Sequence, residues 1–331
     1  MATGAAAYDQ DDMGTAGLAG RQVLDISVVR SLSGRSNVRG VLRFVTHLAI
    51  MCGTGTLVWL ARPDWRLMLP AMLLHGATIV TMFAPMHECV HRTAFASRRL
   101  NDIFGWVAAT LACYNFHYYR LYHTHHHRYT QDPERDPELS TPVPATTWQY
   151  LVRMSGIPFW TRRPVELLQW AIGRTAHLPW IPARSRRTVA ISAAAQLALY
   201  GILLGVSLAT RSTAVLYYWL LPAVLAQPLL RMVTIVEHTG CTSDENGLTN
   251  TRTTLTMWPV RLLMWNMPFH AEHHLYPSIP FHRLPDAHQQ LREKLTHIAP
   301  GYVAANREVV HALPGLAAEA ESSWHLPDAN S

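Results

Sequence analysis

Four apolar runs dominate the pattern of the chain. Residues 44–61, 67–86 and 188–210 carry no charge, and residues 212–236 carry only Arg231. Each approaches or exceeds the roughly 20 residues that a helix needs to cross the hydrocarbon core of a bilayer. The pattern therefore predicts four transmembrane helices. Two shorter runs read differently. Residues 103–116 (IFGWVAATLACYNF) fall short of a span and are expected to form a buried or re-entrant helix. Residues 255–267 (LTMWPVRLLMWNM) read as an interfacial segment, with Trp258, Arg261 and Trp265 suited to the headgroup boundary. Residues 1–30 are expected to be a flexible segment, followed by one membrane domain over 31–320 and a tail over 321–331. The acidic start, with Asp9, Asp11 and Asp12, lacks the basic-then-apolar order of a secretory signal.

Composition supports a membrane protein over a soluble enzyme. Of 331 residues, 49% are hydrophobic and only 15% charged, against about 25% charged in soluble domains. The four cysteines (Cys52, Cys89, Cys113 and Cys241) include no CxxC pair, which argues against an iron–sulfur cluster or a disulfide scaffold. The net charge of +6 comes from Arg in loops between apolar blocks, a membrane pattern that requires no nucleic-acid partner. Thirteen of the Arg residues fall within 87–187 and five more, with Lys294, after 237. The positive-inside rule then puts both termini, the long loop and the segment after the fourth span in the cytoplasm. The expected location is therefore a membrane that borders the cytoplasm.

Histidine is the anomaly, with 19 residues, many in tight groups. His87 and His91 (HECVH) follow the second apolar run. His123, His126 and His127 (HTHHH) lie in the long loop. His238 (VEHTG) follows the fourth run, and His270, His273 and His274 (HAEHH) follow the interfacial segment. Residues spaced i, i+3 and i+4 share a helix face, and neutral imidazole is the commonest protein metal ligand. All four groups fall on one side of the predicted membrane. These nine histidines are too many for one tetrahedral zinc and suit two metals with four or five nitrogens each. His47, His75, His117 and His177 read as ordinary interfacial histidines. His125 points off the shared face of its segment, and His282 is remote from its neighbours in sequence.

HECVH also fits the HExxH pattern of zinc proteases, with Glu88 as general base. That reading leaves the other two clusters idle and must borrow a third ligand such as Asp286. A non-enzymatic metal-binding membrane protein is a further alternative. Two metals, all-nitrogen ligation and a membrane setting favour iron and oxidation of an aliphatic C–H bond. Acid–base catalysis contributes only about 10²–10⁴-fold and does not reach such a bond.

HECVH, HTHHH and HAEHH resemble the three histidine boxes of the membrane fatty acid desaturase and hydroxylase superfamily. The flanking HRYTQDPERDPEL and NMPFHAEHHLYPSIPFHRLP resemble its bacterial desaturase-like branch, and VEHTG resembles the isolated histidine motif before the third box. The resemblance covers about residues 40–300. It implies an all-α integral membrane protein of four transmembrane helices, with a cytoplasmic helical cap holding a histidine-rich dimetal site. The implied cofactors are two non-haem Fe ions carried by the nine histidines, with O2 as co-substrate. The implied partners are a membrane lipid or lipid-like substrate and an external electron donor (ferredoxin, rubredoxin or cytochrome type) with its reductase. Desaturation of an acyl chain is favoured; hydroxylation, ketolation and oxidative decarboxylation are the alternatives. Glu88, Asp132, Asp136, Glu237 and Glu272 are expected to accept the outer ring N–H groups of the ligands. Asn266 is expected to hold a water, and Tyr114, Tyr118 and Trp265 to line an acyl tunnel.

Overall fold

The computed structural model describes residues 23–323, so most of the segment 1–30 and of the tail lies outside the described residues. The chain is built almost entirely from helices. After α1 (Ile26–Leu32), α2 (Asn37–Ala61) starts where the Ser36 hydroxyl accepts from the Arg39 amide at 3.3 Å. This side-chain cap satisfies one of the orphan donors of a helix start. Helices α3 (Trp65–Val80) and α4 (Phe83–Val90) form one apolar column, interrupted at Thr81 and Met82. Pro85 accounts for the break. It has no amide for the Thr81 carbonyl, and its ring would collide with that carbonyl in a continuous helix.

Four segments are long and apolar enough to cross a membrane: Asn37–Ala61, Trp65–Val90, Ala183–Ala209 and Leu216–Thr234. They coincide with the four apolar runs of the sequence. The last begins with a π-helical turn, Leu216–Leu220, before the α-helix Leu221–Thr234. Pro222 sits four residues after Tyr218 and cannot donate to its carbonyl; the His75 imidazole Nε2 takes that place at 3.0 Å. Gly76 lies at the same crossing. A Cβ there would come within 1.9 Å of the Pro222 carbonyl oxygen, so only glycine permits this approach of the second and fourth spans.

His47 and His75 are therefore not interfacial, as the sequence suggested. Both are buried among the spans. His47 Nε2 meets the Thr78 carbonyl at 2.8 Å, and His75 Nδ1 meets the Thr54 hydroxyl at 2.9 Å. Each imidazole satisfies polar groups that hydrocarbon would leave bare.

Between the second and third spans lie α5 (Arg98–Leu111), α6 (Phe116–Arg128), α7 (Thr147–Met154) and α8 (Ile157–Ala171). The 14 residues of α5 make about 21 Å of helix, too short to cross; it begins five residues earlier than the sequence suggested. The third span is α9 (Ala183–Ala209), and Leu221–Thr234 is α10. Asn115 caps α6, accepting from the Tyr118 amide at 3.0 Å. Its side-chain amide also reaches Ser192 and Gln196 of α9, both at 3.2 Å.

After α10 the chain makes a two-residue parallel pairing, β1 (Thr253–Thr254) with β2 (Ile298–Ala299). Around it lie α11 (Trp258–Leu263), α12 (His270–Leu275), α13 (Leu284–Leu291) and α14 (Tyr302–Ser323). Trp258 is exposed, as expected of an interfacial anchor, but Trp265 is fully buried. Its ring packs on Phe281 with centroids 4.6 Å apart, and its indole N–H points at His47 Nδ1 at 3.4 Å. Trp265 and Asn266 both occupy the left-handed region, at φ 49° and 59°, a costly conformation for a bulky residue. Burial of the indole holds this turn, and the turn aims α12 back at α4 and α6.

Candidate metal centre

Four stretches of chain deliver nine buried or nearly buried imidazoles to one place. His87 lies on α4 and His91 at its end; His123, His126 and His127 lie on α6; His270, His273 and His274 lie on α12. His238 follows α10. They sort into two groups. Ring nitrogens of His87, His91, His123, His127 and His273 lie within 4.8 Å of one another, as do those of His126, His238 and His274. His270 joins the second group, with Nε2 3.2 Å from His238 Nε2. The groups abut where the rings of His127 and His274 stack at 3.9 Å.

The nitrogen separations test whether metal ions fit. Nε2 atoms face each other at 3.0 Å in His123–His127 and at 3.2 Å in His91–His273 and His126–His238. Two nitrogens about 2.1 Å from one ion, roughly 90–100° apart, lie about 3.0–3.2 Å from each other. Both nitrogens of His87, and Nε2 of His274, are buried with no hydrogen-bond partner. Buried polar atoms are rarely left so, and an ion in each group would satisfy them. The residues present therefore fit two metals, one with up to five nitrogens and one with up to four.

Electrostatics favour the neutral, ligating form of most of these rings. Burial, reinforced by neighbouring imidazoles, holds His91, His123, His127, His270 and His274 far below the usual histidine range. Burial likewise pushes His238 and His273 down to about 3. His126 is the exception. Burial opposes its charge, but Glu138 and Asp136 outweigh it and raise the ring to about 9. The Asp136 carboxylate sits 2.9 Å from His126 Nδ1 and also accepts the Gln131 and Glu138 amides. A carboxylate on the outer nitrogen fixes the ring with Nε2 turned inward.

The remaining acidic residues divide. Glu237 Oε1 stands 3.6 Å from His270 Nδ1. Glu88 is turned away from the cage, accepting from the Thr93 hydroxyl at 2.8 Å and the Phe281 amide at 3.3 Å. Asp132 pairs with Arg135. Glu272 is bonded to His288 and Thr253, so it braces α12 and contacts no cage histidine. Asn266 donates to the Phe281 carbonyl at 2.9 Å. The His125 ring lies tilted beside Tyr129 with centroids 4.7 Å apart, and His282 lies beside Arg39. Neither belongs to the two groups. With Glu88 turned away and Asp286 paired to Arg283 at 2.8 Å, the geometry gives no HExxH protease site.

Several outer contacts have no sequence signature. The Asn250 carbonyl faces His238 Nδ1 at 3.2 Å, the Thr130 hydroxyl faces His274 Nδ1 at 3.2 Å, and the Tyr119 hydroxyl lies 3.4 Å from His123 Nδ1. Glu138 Oε1 is 3.9 Å from His126 Nε2. Only the position of Glu138, two residues after Asp136, hinted at any of these.

A cavity of about 640 Å³ ends on this cage, with His87, His123 and His270 in its wall. Phe83, Tyr114, Tyr119 and Phe159 line it, as Tyr114 and Tyr118 were expected to do; the buried Trp265 does not. Aromatic walls beside a buried histidine cage are compatible with a metal site served by a cavity that can take a substrate with an apolar part. The comparisons with known proteins make this specific. The Fatty acid desaturase family matches residues 63–305, and the chain belongs to that family. It is an oxidoreductase and an integral membrane protein. It is 26% identical over 296 residues to an sn-1 oleoyl-lipid 12-desaturase of Picosynechococcus sp., covering 82% of each chain. It is also 26% identical over 281 residues to a dihydrorhizobitoxine desaturase of Bradyrhizobium elkanii, covering 80% of this chain and 77% of the relative. A Delta(12) fatty acid desaturase of Mortierella isabellina matches over 315 residues at 22% identity, covering 78% of each chain.

Proposed function

We propose that this enzyme carries out O2-dependent desaturation of an aliphatic acyl chain at a non-haem di-iron centre. The carrying observation is the division of nine imidazoles into groups of five and four at the end of an aromatic cavity. His87, His91, His123, His127 and His273 hold one ion; His126, His238, His270 and His274 hold the other. Bound iron supplies one-electron chemistry that reduces O2 and removes hydrogen from an unactivated carbon. The protein's own residues do the rest. Phe83, Tyr114 and Tyr119 exclude water and hold the chain straight, so that two adjacent carbons face the cage. Holding both C–H bonds close favours loss of two vicinal hydrogens over oxygen insertion. Asp136 keeps His126 oriented, and the Glu237 carboxylate stands 3.6 Å from the outer nitrogen of His270.

The membrane lipid or lipid-like substrate arrives from the bilayer. The cage, both termini and the Arg-rich segments face the cytoplasm of a bacterial inner membrane. Basic surface there draws an acidic electron donor of ferredoxin, rubredoxin or cytochrome type, supplied by its reductase. Incubation with a dideuterated acyl substrate under ¹⁸O2 tests the reaction. Loss of two vicinal deuterium atoms without ¹⁸O in the organic product is expected. Label in that product would make the enzyme a hydroxylase or ketolase. Loss of the carboxyl carbon as CO2 would make it a decarboxylase. A reporter fused after Ser331 should read as cytoplasmic, and a periplasmic signal would overturn the topology.

A further inference from the structure

The same cavity has a second end that the oxidation chemistry does not use. Arg153, Arg162, Arg163 and Arg231 all contribute to its wall. Arg231 belongs to the fourth membrane-spanning segment, where a cation is expensive and marks a functional position by default. It is held in place: it donates to the Tyr114 hydroxyl at 3.0 Å and lies over the Phe159 ring at 5.1 Å. The Gln227 carboxamide, oriented to accept, meets it at 2.9 and 3.2 Å. Arg163 lies over the same Phe159 at 4.9 Å and over Tyr114 at 5.0 Å. Arg153, half-buried, has Arg231 near enough to depress its ionisation further after burial has done so.

The acidic residues of the cavity wall offset this group only in part. Glu166 pairs with Arg163 at 3.2 Å, Glu138 faces His126, and Glu237 faces His270. Among the described residues, Arg153 and Arg231 form no salt bridge. Glu138, the acidic group close to both, is shared with His126, so two partly desolvated guanidinium groups are left under-compensated, a costly arrangement that an oxyanion would relieve.

The location suits a substrate drawn from the bilayer. Ile157, Val165 and Leu168 of α8, with Ile172 just past its end, are exposed on one stripe, while Phe159, Arg163 and Glu166 face the cavity. An amphipathic helix of this kind lies in the membrane interface with its apolar face in the acyl region. That puts the arginines at headgroup depth. From there Tyr114 stacks toward Phe83 with centroids 5.2 Å apart, and Phe83 toward His87 at 6.1 Å. An apolar path thus joins the cationic end to the histidine cage.

We propose that Arg153, Arg163 and Arg231 form a subsite for an oxyanion carried by the acyl substrate. Its source is the carboxylate of a fatty acid or the phosphate of a phospholipid, and the hydrocarbon chain runs along Tyr114 and Phe83 toward His87. The proposal deepens the desaturase reading by naming the substrate class, and it relies on that reading only for what happens at the far end of the chain.

Equilibrium binding to the purified protein in uncharged detergent micelles tests it, using radiolabelled oleate against oleyl alcohol and dioleoyl phosphatidate against dioleoylglycerol. At least one anion should bind about ten-fold or more tightly than its neutral partner, the scale of a charge-assisted hydrogen bond. Preference in the first pair alone identifies a carboxylate, and in the second alone a phosphate. Arg153→Gln and Arg231→Gln should each lower the preference several-fold without weakening the neutral ligand, and Arg231→Lys, which retains the charge, should keep most of it. Equal binding within both pairs by the wild-type protein would overturn the subsite, as would an unchanged preference in both Gln variants. Selective anion binding by an enzyme that forms no desaturated product would instead refute the reaction and leave the subsite standing.

Discussion

Two sets of buried histidines occupy this protein, and accounting for their nitrogens separates them. His47 and His75, among the spans, have partners at every ring nitrogen: Thr78 and Trp265 for the first, Thr54 and Tyr218 for the second. In the cage at one end of the spans, His87 has no partner at either nitrogen, His274 Nε2 has none, and the inward Nε2 atoms of His91, His123, His126, His127, His238, His270 and His273 face other imidazoles. Burial alone therefore does not identify a ligand. A histidine whose nitrogens already serve backbone carbonyls and hydroxyls is a structural element, and one whose nitrogens converge on empty-handed neighbours is built for an ion.

Substitutions in the two regions should have opposite signatures. The largest effect is expected in the cage. His123→Ala and His270→Ala should each lower metal content and abolish turnover, beyond the roughly 10–100-fold loss typical of an outer hydrogen-bond partner. Full activity in either, measured with metal analysis on the same sample, would break the assignment. Asp136→Asn should fall in that roughly 10–100-fold range for metal affinity, because it keeps the shape of the contact to His126 but removes its charge.

Among the spans the expected loss is of stability instead. His75→Ala leaves the Tyr218 carbonyl bare, at a cost of about 1–3 kcal/mol. Thermal unfolding in detergent should show this, while metal content per folded chain stays at the wild-type level. A loss of metal without a loss of stability would erase the distinction between the two regions.

Acidity sharpens the comparison. In chelator-treated protein, the depressed cage histidines bind fewer protons folded than unfolded. Stability is therefore complete above the unfolded value near 6.5 and falls as pH drops toward the folded values, about 3 for His238 and His273. His126 runs the other way: its contribution is complete below 6.5 and is lost as pH rises through about 9. Denaturant titrations across pH 4–10 should show the acid-side loss dominating, and Asp136→Asn should flatten the alkaline side. The smallest effect is reserved for His125→Ala, expected within about 0.5 kcal/mol in stability and unchanged in metal content. Metal loss there would shift the register of the second cluster.

The chain disclosed the spans and the cage for related reasons. Crossing a bilayer requires an unbroken apolar run, and grouping ligands on a helix requires i, i+3 and i+4 spacing; both constraints are local. What stayed hidden depends on distant partners. Trp265 looked interfacial because its indole meets His47, 218 residues away in sequence. His75 looked incidental because the carbonyl it serves is freed by Pro222 on another helix. Glu272 sits between cage histidines in sequence yet turns to His288 and Thr253, since two residues after His270 it lies on the opposite face of α12. The four arginines of the cavity come from α7, α8 and α10, so no single motif records them.

Metal analysis of the full-length protein tests most directly whether the nine imidazoles hold two iron ions. Protein purified from iron-supplemented, zinc-containing medium should carry two iron atoms per chain by mass spectrometry, with iron lost in His123→Ala and His270→Ala and retained in His47→Gln. One zinc per chain without iron, or full iron in the cage variants, would contradict that assignment.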